Sequence, residues 1–358
     1  MNILKRLENF RSKFDELGID AALIIGDYNR NYLSGFTGHE SFSVILKDKA
    51  YFLTDGRYIE QAHKEVVGYE VIEYKPPIYD AIKEILIGNN VKVLGVEEDK
   101  FTFQDLEMYK ERLGDIKIVK LNHTIEKIRM IKDEDEIALI EQAAAIADKA
   151  FEHILKYIKV GVSERDIALE IEYFMKKHGA QGLSFDSIVV SGARSSLPHG
   201  TPTDKKIEYG DFVTLDFGCI YKGYCSDMTR TIVVGKATEK QKEIYNAVLD
   251  ANEAALRAIK AGVKCFDLDK IARDIIKERG YGDRFSHGLG HGVGMEVHEL
   301  PRVNFRSDEV LEAGMVITDE PGIYIPDFGG VRIEELVVVT QDGFRVLSHS
   351  PKHLIEIE

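Results

Sequence analysis

The chain repeats itself, and the repeat limits what it can fold into. Residues 159–179, KVGVSERDIALEIEYFMKKHG, align without a gap on residues 260–280, KAGVKCFDLDKIARDIIKERG. Lys159, Gly161, Val162, Asp166, Lys176 and Gly179 meet identical partners 101 residues later (260 − 159 = 101). The upstream helices match in apolar pattern, with Leu155 on Leu256 and Ile158 on Ile259. Each copy reads as a long helix, a glycine stop and a second helix. In the first copy Ser163-Glu-Arg-Asp166 forms a capping box for that second helix. A glycine-rich loop and a strand pair bearing two acids follow each copy. Such self-similarity implies a duplicated α+β half. Two related halves about a pseudo-twofold axis would bring both acidic strand pairs to one centre.

The first strand pair is 212–231, FVTLDFGCIYKGYCSDMTRT. Val213, Leu215 and Phe217 alternate, Tyr221-Lys222-Gly223 supplies a turn, and a second extended run reaches Val234. The spacing predicts one hairpin with Asp216 on one arm and Asp227 facing it on the other. Aspartate is disfavoured in strands, and burying an ionised carboxylate without a partner is costly. Two such groups facing each other repel, and a bound cation removes both problems.

The second strand pair lies in 315–325 and 330–340. It offers Asp319 beside Glu320, and Glu334 beside Glu335. Neighbours in a strand face opposite sides, so one of each pair points inward. Arg332 shares a face with Glu334. Between the two strand pairs, residues 285–299 hold His287, His291 and His298 among Gly288, Gly290, Gly292 and Gly294. His199 stands in Leu197-Pro198-His199-Gly200, 17 residues before Asp216 (216 − 199 = 17). Four carboxylates and one imidazole form an oxygen-rich set. It suits Mn²⁺, Co²⁺, Zn²⁺ or Fe²⁺ better than a thiolate-held structural zinc. Two divalent ions would balance the four negative charges.

Upstream of the repeat the pattern is different. A helical face over 3–17 leads to a short apolar strand at 21–25, a hairpin turning at Lys47-Asp48-Lys49, and then strands and helices in alternation. This predicts an α/β domain over 1–123, a linker over 124–135, and an α+β domain with internal pseudo-twofold duplication over 136–358. A length of 358 residues fits two domains. The net charge of −14 argues against nucleic acid or an anionic membrane as partner. Three cysteines without a CxxC spacing suit a reduced, cytoplasmic setting. No apolar run approaches membrane-spanning length.

Together these motifs resemble the pita-bread metallopeptidases, and within them the Xaa-Pro group of aminopeptidase P and prolidase. The likeness covers nearly the whole chain. GIDAALI, NRNYLSGFTG and FLTDGRY are similar to a creatinase/prolidase N-terminal domain. LPHG, LDFG with Asp227 after it, SHGLGHGVG with His298 after it, EPGIY and GGVRIEE follow in order. The resemblance implies a pita-bread catalytic domain with Asp216, Asp227, His291, Glu320 and Glu334 as ligands of two divalent ions, Mn²⁺ or Co²⁺ before Zn²⁺ or Fe²⁺. It implies that His199 and His298 bind substrate and stabilise the tetrahedral intermediate, that His287 and Arg332 line the same pocket, and that Glu320 shuttles a proton. The activity implied is hydrolysis of Xaa-Pro bonds, at the N-terminus of peptides or in dipeptides, through a metal-bridging hydroxide. The implied partners are proline-containing peptides and a second copy in a homodimer. Asp319 departs from the family pattern, which often has an apolar residue there.

Three other readings share parts of the pattern. A methionine aminopeptidase-like enzyme is disfavoured by the first domain and by the Arg332-Ile333-Glu334 context. A metal-free creatinase-like hydrolase and a non-catalytic interaction protein of the same fold are both disfavoured by the intact ligand set.

Overall fold

Leu7 and Phe10 fall on one face of the first helix, Ile3–Arg11, and are buried there. The Asn2 side chain caps it by accepting from the Lys5 N–H at 3.1 Å. A short second piece, Phe14–Leu17, ends at Gly18, whose φ of +64° suits a residue without a Cβ. The computed structural model describes residues 2–358. The chain forms two compact units, Met1–Arg129 and Met130–Glu358.

The first unit is built on a six-stranded mixed sheet. Its strands are β1 (Ala21–Ile24), β2 (Ser41–Leu46), β3 (Ala50–Thr54), β4 (Glu70–Glu73), β5 (Val93–Val96) and β6 (Lys117–Lys120). They lie in the order β4-β3-β2-β1-β5-β6. All four residues of β1 are buried, as expected of a strand covered on both faces. Helices Ile78–Gly88 and Phe103–Leu113 bring Ile82, Leu86, Tyr109 and Leu113 to one of the two faces. Sequence pattern does not announce the helix Asp27–Ser34. Residues 124–135 are not an irregular connection throughout: Thr124–Arg129 is helical and falls in the first unit.

The second unit carries the duplication. Helices Glu134–Ile154 and Glu164–Lys177 form the first pair, and Glu239–Ala258 and Cys265–Glu278 the second. Ser163 and Asp166 make the expected capping box. The strands are β7 (Gly182–Leu183), β8 (Ile188–Ser191), β9 (Phe212–Phe217), β10 (Cys219–Tyr221), β11 (Tyr224–Cys225), β12 (Met228–Val234), β13 (Gly290–Gly292), β14 (Glu299–Val303), β15 (Val316–Asp319), β16 (Gly322–Ile325), β17 (Gly329–Arg332), β18 (Glu335–Val339), β19 (Phe344–Val346) and β20 (Glu356–Ile357). One sheet runs β20-β12-β9-β8, and its counterpart runs β14-β13-β15-β18-β19. The first helix pair packs Ile167, Ile171 and Met175 on Val213, Leu215 and Ile232. The second packs Leu268, Ala272 and Ile276 in one core with Ile317 and Val337. Each half therefore buries its helices against its own sheet.

The acidic strand pair is not the single hairpin that alternation predicts. Met228 pairs with Phe217 and Thr229 with Asp216, so Asp216 does not face Asp227 across a ladder. The pair breaks at Gly218, where a Cβ would stand 1.9 Å from the Ser226 carbonyl oxygen. Beyond the break, β10 and β11 join β7 in a separate small sheet. The second copy breaks in the same way. Glu320 and Pro321 separate β15 from β16, and Ile333 and Glu334 separate β17 from β18, with β16 and β17 pairing only with each other. At these breaks the ladder is interrupted, and the acids beside them are not held in flat strand register.

Candidate metal centre

Asp216 lies near the end of β9 and Asp227 just before β12. Glu320 follows β15 and Glu334 precedes β18. Each half thus delivers two acids from its broken hairpin, and β13 adds His291 from the glycine-rich segment. Four glycines make that segment possible. At Gly290 a Cβ would come within 2.1 Å of Thr318 O, and at Gly292 within 2.1 Å of Leu300 O.

The five ligand-type residues converge. Asp216, Asp227 and Glu334 bring carboxylate oxygens within 4.8 Å of one another. His291, Glu320 and Glu334 form a second group of that kind, and Asp227, His291 and His298 a third. His291 Nε2 stands 3.3 Å from Glu320 Oε1 and 3.6 Å from Asp227 Oδ2. The other ring nitrogen, Nδ1, lies 3.1 Å from the Gly292 carbonyl oxygen. A carbonyl only accepts, so Nδ1 carries the hydrogen and Nε2 is turned to the acids. The Thr229 hydroxyl donates to Glu334 Oε2 at 2.7 Å, and the Thr318 hydroxyl donates to Glu320 Oε1 at 3.3 Å.

The electrostatics are those of crowded anions. Burial, and then the charges of Glu334, Asp216 and Glu320, push the Asp227 carboxyl well above the usual range. Burial and the charges of Glu320 and Asp216 do the same to Glu334. Burial also raises Asp216, against the pull of Arg332. Glu320 goes the other way: although burial opposes it, the His291 hydrogen bond and charge hold it at about 2.

A divalent cation fits this donor set. Asp216 Oδ1 is buried and has no hydrogen-bond partner among the described residues. By contrast, the buried Glu97 carboxylate of the first unit accepts from Ile25 N, Gly26 N and Asn29 Nδ2 at 2.6–2.8 Å. Buried carboxylates are ordinarily satisfied in the manner of Glu97, and an oxygen left bare among other acids is suited to a metal. Oxygen donors with one imidazole suit a hard or borderline dication.

A cavity of about 430 Å³ opens over the acids. All nine residues singled out from sequence line it: His199, Asp216, Asp227, His287, His291, His298, Glu320, Arg332 and Glu334. His298 stacks edge-on against His291, with ring centroids 4.3 Å apart. Burial, and then the His291 charge, lower its pKa. His287 is committed on both nitrogens: Nδ1 donates to Gly288 O at 2.8 Å, and Nε2 takes the Tyr324 hydroxyl at 2.8 Å. Arg332 is almost fully engaged as well. It donates from Nε to Thr229 Oγ1, from Nη1 to Tyr324 Oη and Pro198 O, and from Nη2 to Asp216 Oδ2.

The two ambiguous acid pairs resolve without either partner turning out to solvent: Asp319, Glu334 and Glu335 are buried and Glu320 is partly buried. Glu334 turns to the centre, while Glu335 meets Arg230 Nη2 at 2.6 Å and the Ser348 hydroxyl at 3.1 Å. Arg230 also donates to the Glu334 carbonyl. Behind Glu320, the Asn252 side chain donates to the Asp319 carbonyl at 3.0 Å and to Asp319 Oδ2 at 3.1 Å. Burial, and then the charge of Glu335, push Asp319 well above the carboxylate range.

Sequence reading missed Tyr324, Thr229, Thr318 and Arg230. Tyr324 had a signal: glycines at Gly322 and Gly330, where a Cβ would meet the tyrosine ring or hydroxyl at 2.9 Å or less. It also missed Lys132, a residue of the expected linker, which pairs with Glu299 next to His298 at 2.6 Å.

The description Metallopeptidase family M24 matches residues 138–341, and Creatinase/Prolidase N-terminal domain matches residues 6–131. The chain is 44% identical over 352 residues to a Xaa-Pro dipeptidase of Pyrococcus furiosus, covering 98% of this chain and 99% of that one. Among solved structures, a Xaa-Pro dipeptidase from Bacillus anthracis is 49% identical and superposes with a TM-score of 0.97, over 99% of this chain and 100% of that one. An X-Pro aminopeptidase from Thermotoga maritima is 39% identical, with a TM-score of 0.91 over 97% and 100%.

Proposed function

The chain belongs to metallopeptidase family M24, and on that premise we propose that it is an exopeptidase that hydrolyses the bond between an N-terminal residue and the proline after it. The observation that carries the reading is the single cavity into which Asp216, Asp227, Glu320 and Glu334 converge with four histidines and Arg332. The relatives named Xaa-Pro dipeptidase and X-Pro aminopeptidase support the substrate class.

We assign Asp216, Asp227, His291, Glu320 and Glu334 as ligands of two divalent ions, Mn²⁺ or Co²⁺. Two dications balance the four carboxylates. When bound, the metal supplies an activated water and polarises the scissile carbonyl. Glu320 takes the proton at its carboxylate and passes it to the proline nitrogen, which needs it to leave as an amine. The His298 imidazole keeps an N–H even when neutral, and that N–H meets the oxyanion that develops on the carbonyl. His199 holds the proline side. His287 shapes the wall, since both of its nitrogens are taken. Arg332 acts by fixing Asp216 and Tyr324, which leaves the second Nη2–H as a donor for substrate.

The substrate's α-amine is attracted to the acids, which makes a free N-terminus a requirement. A proline amide has no N–H, so enzymes that read the backbone as a strand lose a contact there. A centre that reads the amine does not. Cytoplasmic residence is in keeping with three buried free cysteines. Homodimer formation rests on the family resemblance. Among the described residues no helix is long and apolar enough to cross a membrane.

The test is a panel of peptides after loading with Mn²⁺ or Co²⁺. Ala-Pro or Ala-Pro-Ala is cleaved, and acetyl-Ala-Pro-Ala and Ala-Ala-Ala are not. Rapid cleavage of Met-Ala-Ala with neither proline peptide touched would overturn the reading.

A further inference from the structure

The loop that carries His199 leaves β8 at Ser191. It returns to a helix start at Thr203, whose carbonyl takes the Arg165 N–H at 3.0 Å. Both ends of the loop close on one side chain. Glu164, the first residue of the helix Glu164–Lys177, is 0% exposed. Its Oε1 accepts from Ser191 N at 2.8 Å and from the Ser191 hydroxyl at 2.9 Å. Its Oε2 accepts from Thr203 N at 3.0 Å and from the Thr203 hydroxyl at 2.8 Å. Arg194 Nε adds an ion pair at 3.1 Å. The same guanidinium reaches across the loop and donates from Nη2 to Thr201 O at 2.7 Å. A carboxylate sealed from water is stable only when its oxygens are satisfied. Here every donor comes from Ser191, Arg194 or Thr203.

The middle of the loop is tied from the other side. Gly330 N donates to Ser195 Oγ at 2.8 Å, and Arg332 Nη1 donates to Pro198 O at 3.4 Å. His199 lies between those ties and Thr203. The residue itself is exposed, although it lines the cavity. Packing therefore does not hold its ring, and the backbone that carries it sets its place. Charge-assisted bonds at both ends of that backbone are strong ones.

The second half grips its own histidine loop in the same manner from a different position. Asp269, also 0% exposed, accepts from Leu289 N at 3.0 Å. Its ion partner Arg273 donates to Phe285 O at 2.9 Å and to His287 O at 2.8 Å. In the repeat, Cys265 rather than an acid stands at the place of Glu164. The shared backbone alone thus does not require an acid there, and each half has a buried carboxylate and an arginine on the loop that it presents to the cavity.

We propose that Glu164 is a positioning residue for the reaction, acting through Arg194 and Thr203 to hold His199 where it meets substrate. It touches neither substrate nor the acids of the centre. The inference rests on the Xaa-Pro reading above and on the role given there to His199.

The test is a double-mutant cycle on the metal-loaded enzyme, with kcat and KM measured on Ala-Pro or Ala-Pro-Ala, whichever the native chain cleaves faster. Glu164→Gln lowers kcat/KM on the order of 10²-fold, the scale of a group misplaced by about 1 Å, and does so chiefly through KM. His199→Ala lowers it at least as far. Adding Glu164→Gln to His199→Ala costs nothing more, because the loop then has no ring to place. Metal content, read by elemental analysis, stays native in all three. Thr203→Val keeps the side-chain shape and removes one donor. It shows a smaller loss with the same dependence on His199, and it carries the test should Glu164→Gln not fold. Equal losses with and without His199 overturn the inference, since Glu164 then acts on the fold at large. Native kcat/KM in Glu164→Gln, or in Thr203→Val where that variant carries the test, overturns it too. A His199→Ala enzyme as active as the native one overturns it and leaves the Xaa-Pro reading standing. A native chain that cleaves neither proline peptide overturns that reading, and the inference with it.

Discussion

In the first copy of the duplicated half, Gly161 N donates to Ile207 O and Ile207 N donates back to Val162 O. In the second, Gly262 N donates to Leu311 O and Leu311 N donates back to Val263 O. Gly161 and Gly262 have φ of +90° and +88°, and Gly179 and Gly280 have +105° and +86°. Where the backbone needs a left-handed residue, both copies kept glycine. The copies part company where they meet each other. Arg230 of the first reaches Glu335 and the Glu334 carbonyl of the second. Arg332 of the second reaches Asp216 of the first, and Thr229 of the first donates to Glu334 of the second. Identical halves would set like charges against each other across the axis. The two halves therefore stayed alike in backbone and became complementary in side chains, and Asp216 and Glu334, two of the acids under the cavity, are themselves among the groups that cross.

The largest effect comes from removing charge on either side of the axis. Asp227→Asn in the first copy and Glu334→Gln in the second are each expected to abolish hydrolysis and to lower bound metal, because a neutral amide balances no charge. Elemental analysis of the purified variants checks this. A variant that kept its metal while its counterpart lost it would show that the two halves contribute unequally.

Breaking the stitch from behind has a middle-sized effect. Arg230→Met leaves the Glu335 carboxylate buried without its ion partner, at a cost of about 3–5 kcal/mol in urea unfolding. Arg230→Met combined with Glu335→Leu should recover much of that loss, since both charges go together. Additive losses in the double variant would mean that the pair does not join the halves.

The smallest effect tests the repeat itself. Ser163 caps its helix with Asp166 in return, whereas Lys264 at the matching place makes no side-chain cap. Ser163→Ala should cost about 1 kcal/mol, and Lys264→Ser, with Asp267 already three residues on, should add a fraction of that. Thermal unfolding of the two variants side by side reads both signs.

Much of this was legible before any coordinates. The apolar periods placed the helix pairs, and Ser163 with Asp166 marked a helix start. Acids in strand-like runs and histidines among glycines nominated Asp216, Asp227, Glu320, Glu334 and His291, which converge under the cavity, but not Glu299, which also lines it. The split of the hairpin at Gly218 was not legible, because alternation continues through Phe217 and gives no sign that Ser226 O will crowd that glycine. The burial of Asp319 and Glu335 was not legible either. Alternation says that neighbours face apart, but not that the second face is also interior, with Asn252 and Arg230 waiting there.

By itself the sequence determined what depends on near neighbours in the chain: helix faces, caps, left-handed glycines, the existence of two related halves and the chemical type of the side chains offered to the site. These follow from periods of 2 and 3.6 residues and from local sterics. Only the tertiary structure decided which acid of each adjacent pair turns to the centre, that Asp216 lies opposite Thr229, and that Arg230 and Arg332 cross between the halves. Those partners are about a hundred residues apart, with Thr229 and Glu334 separated by 105. No local period links residues so distant; the packing of one half on the other sets them side by side.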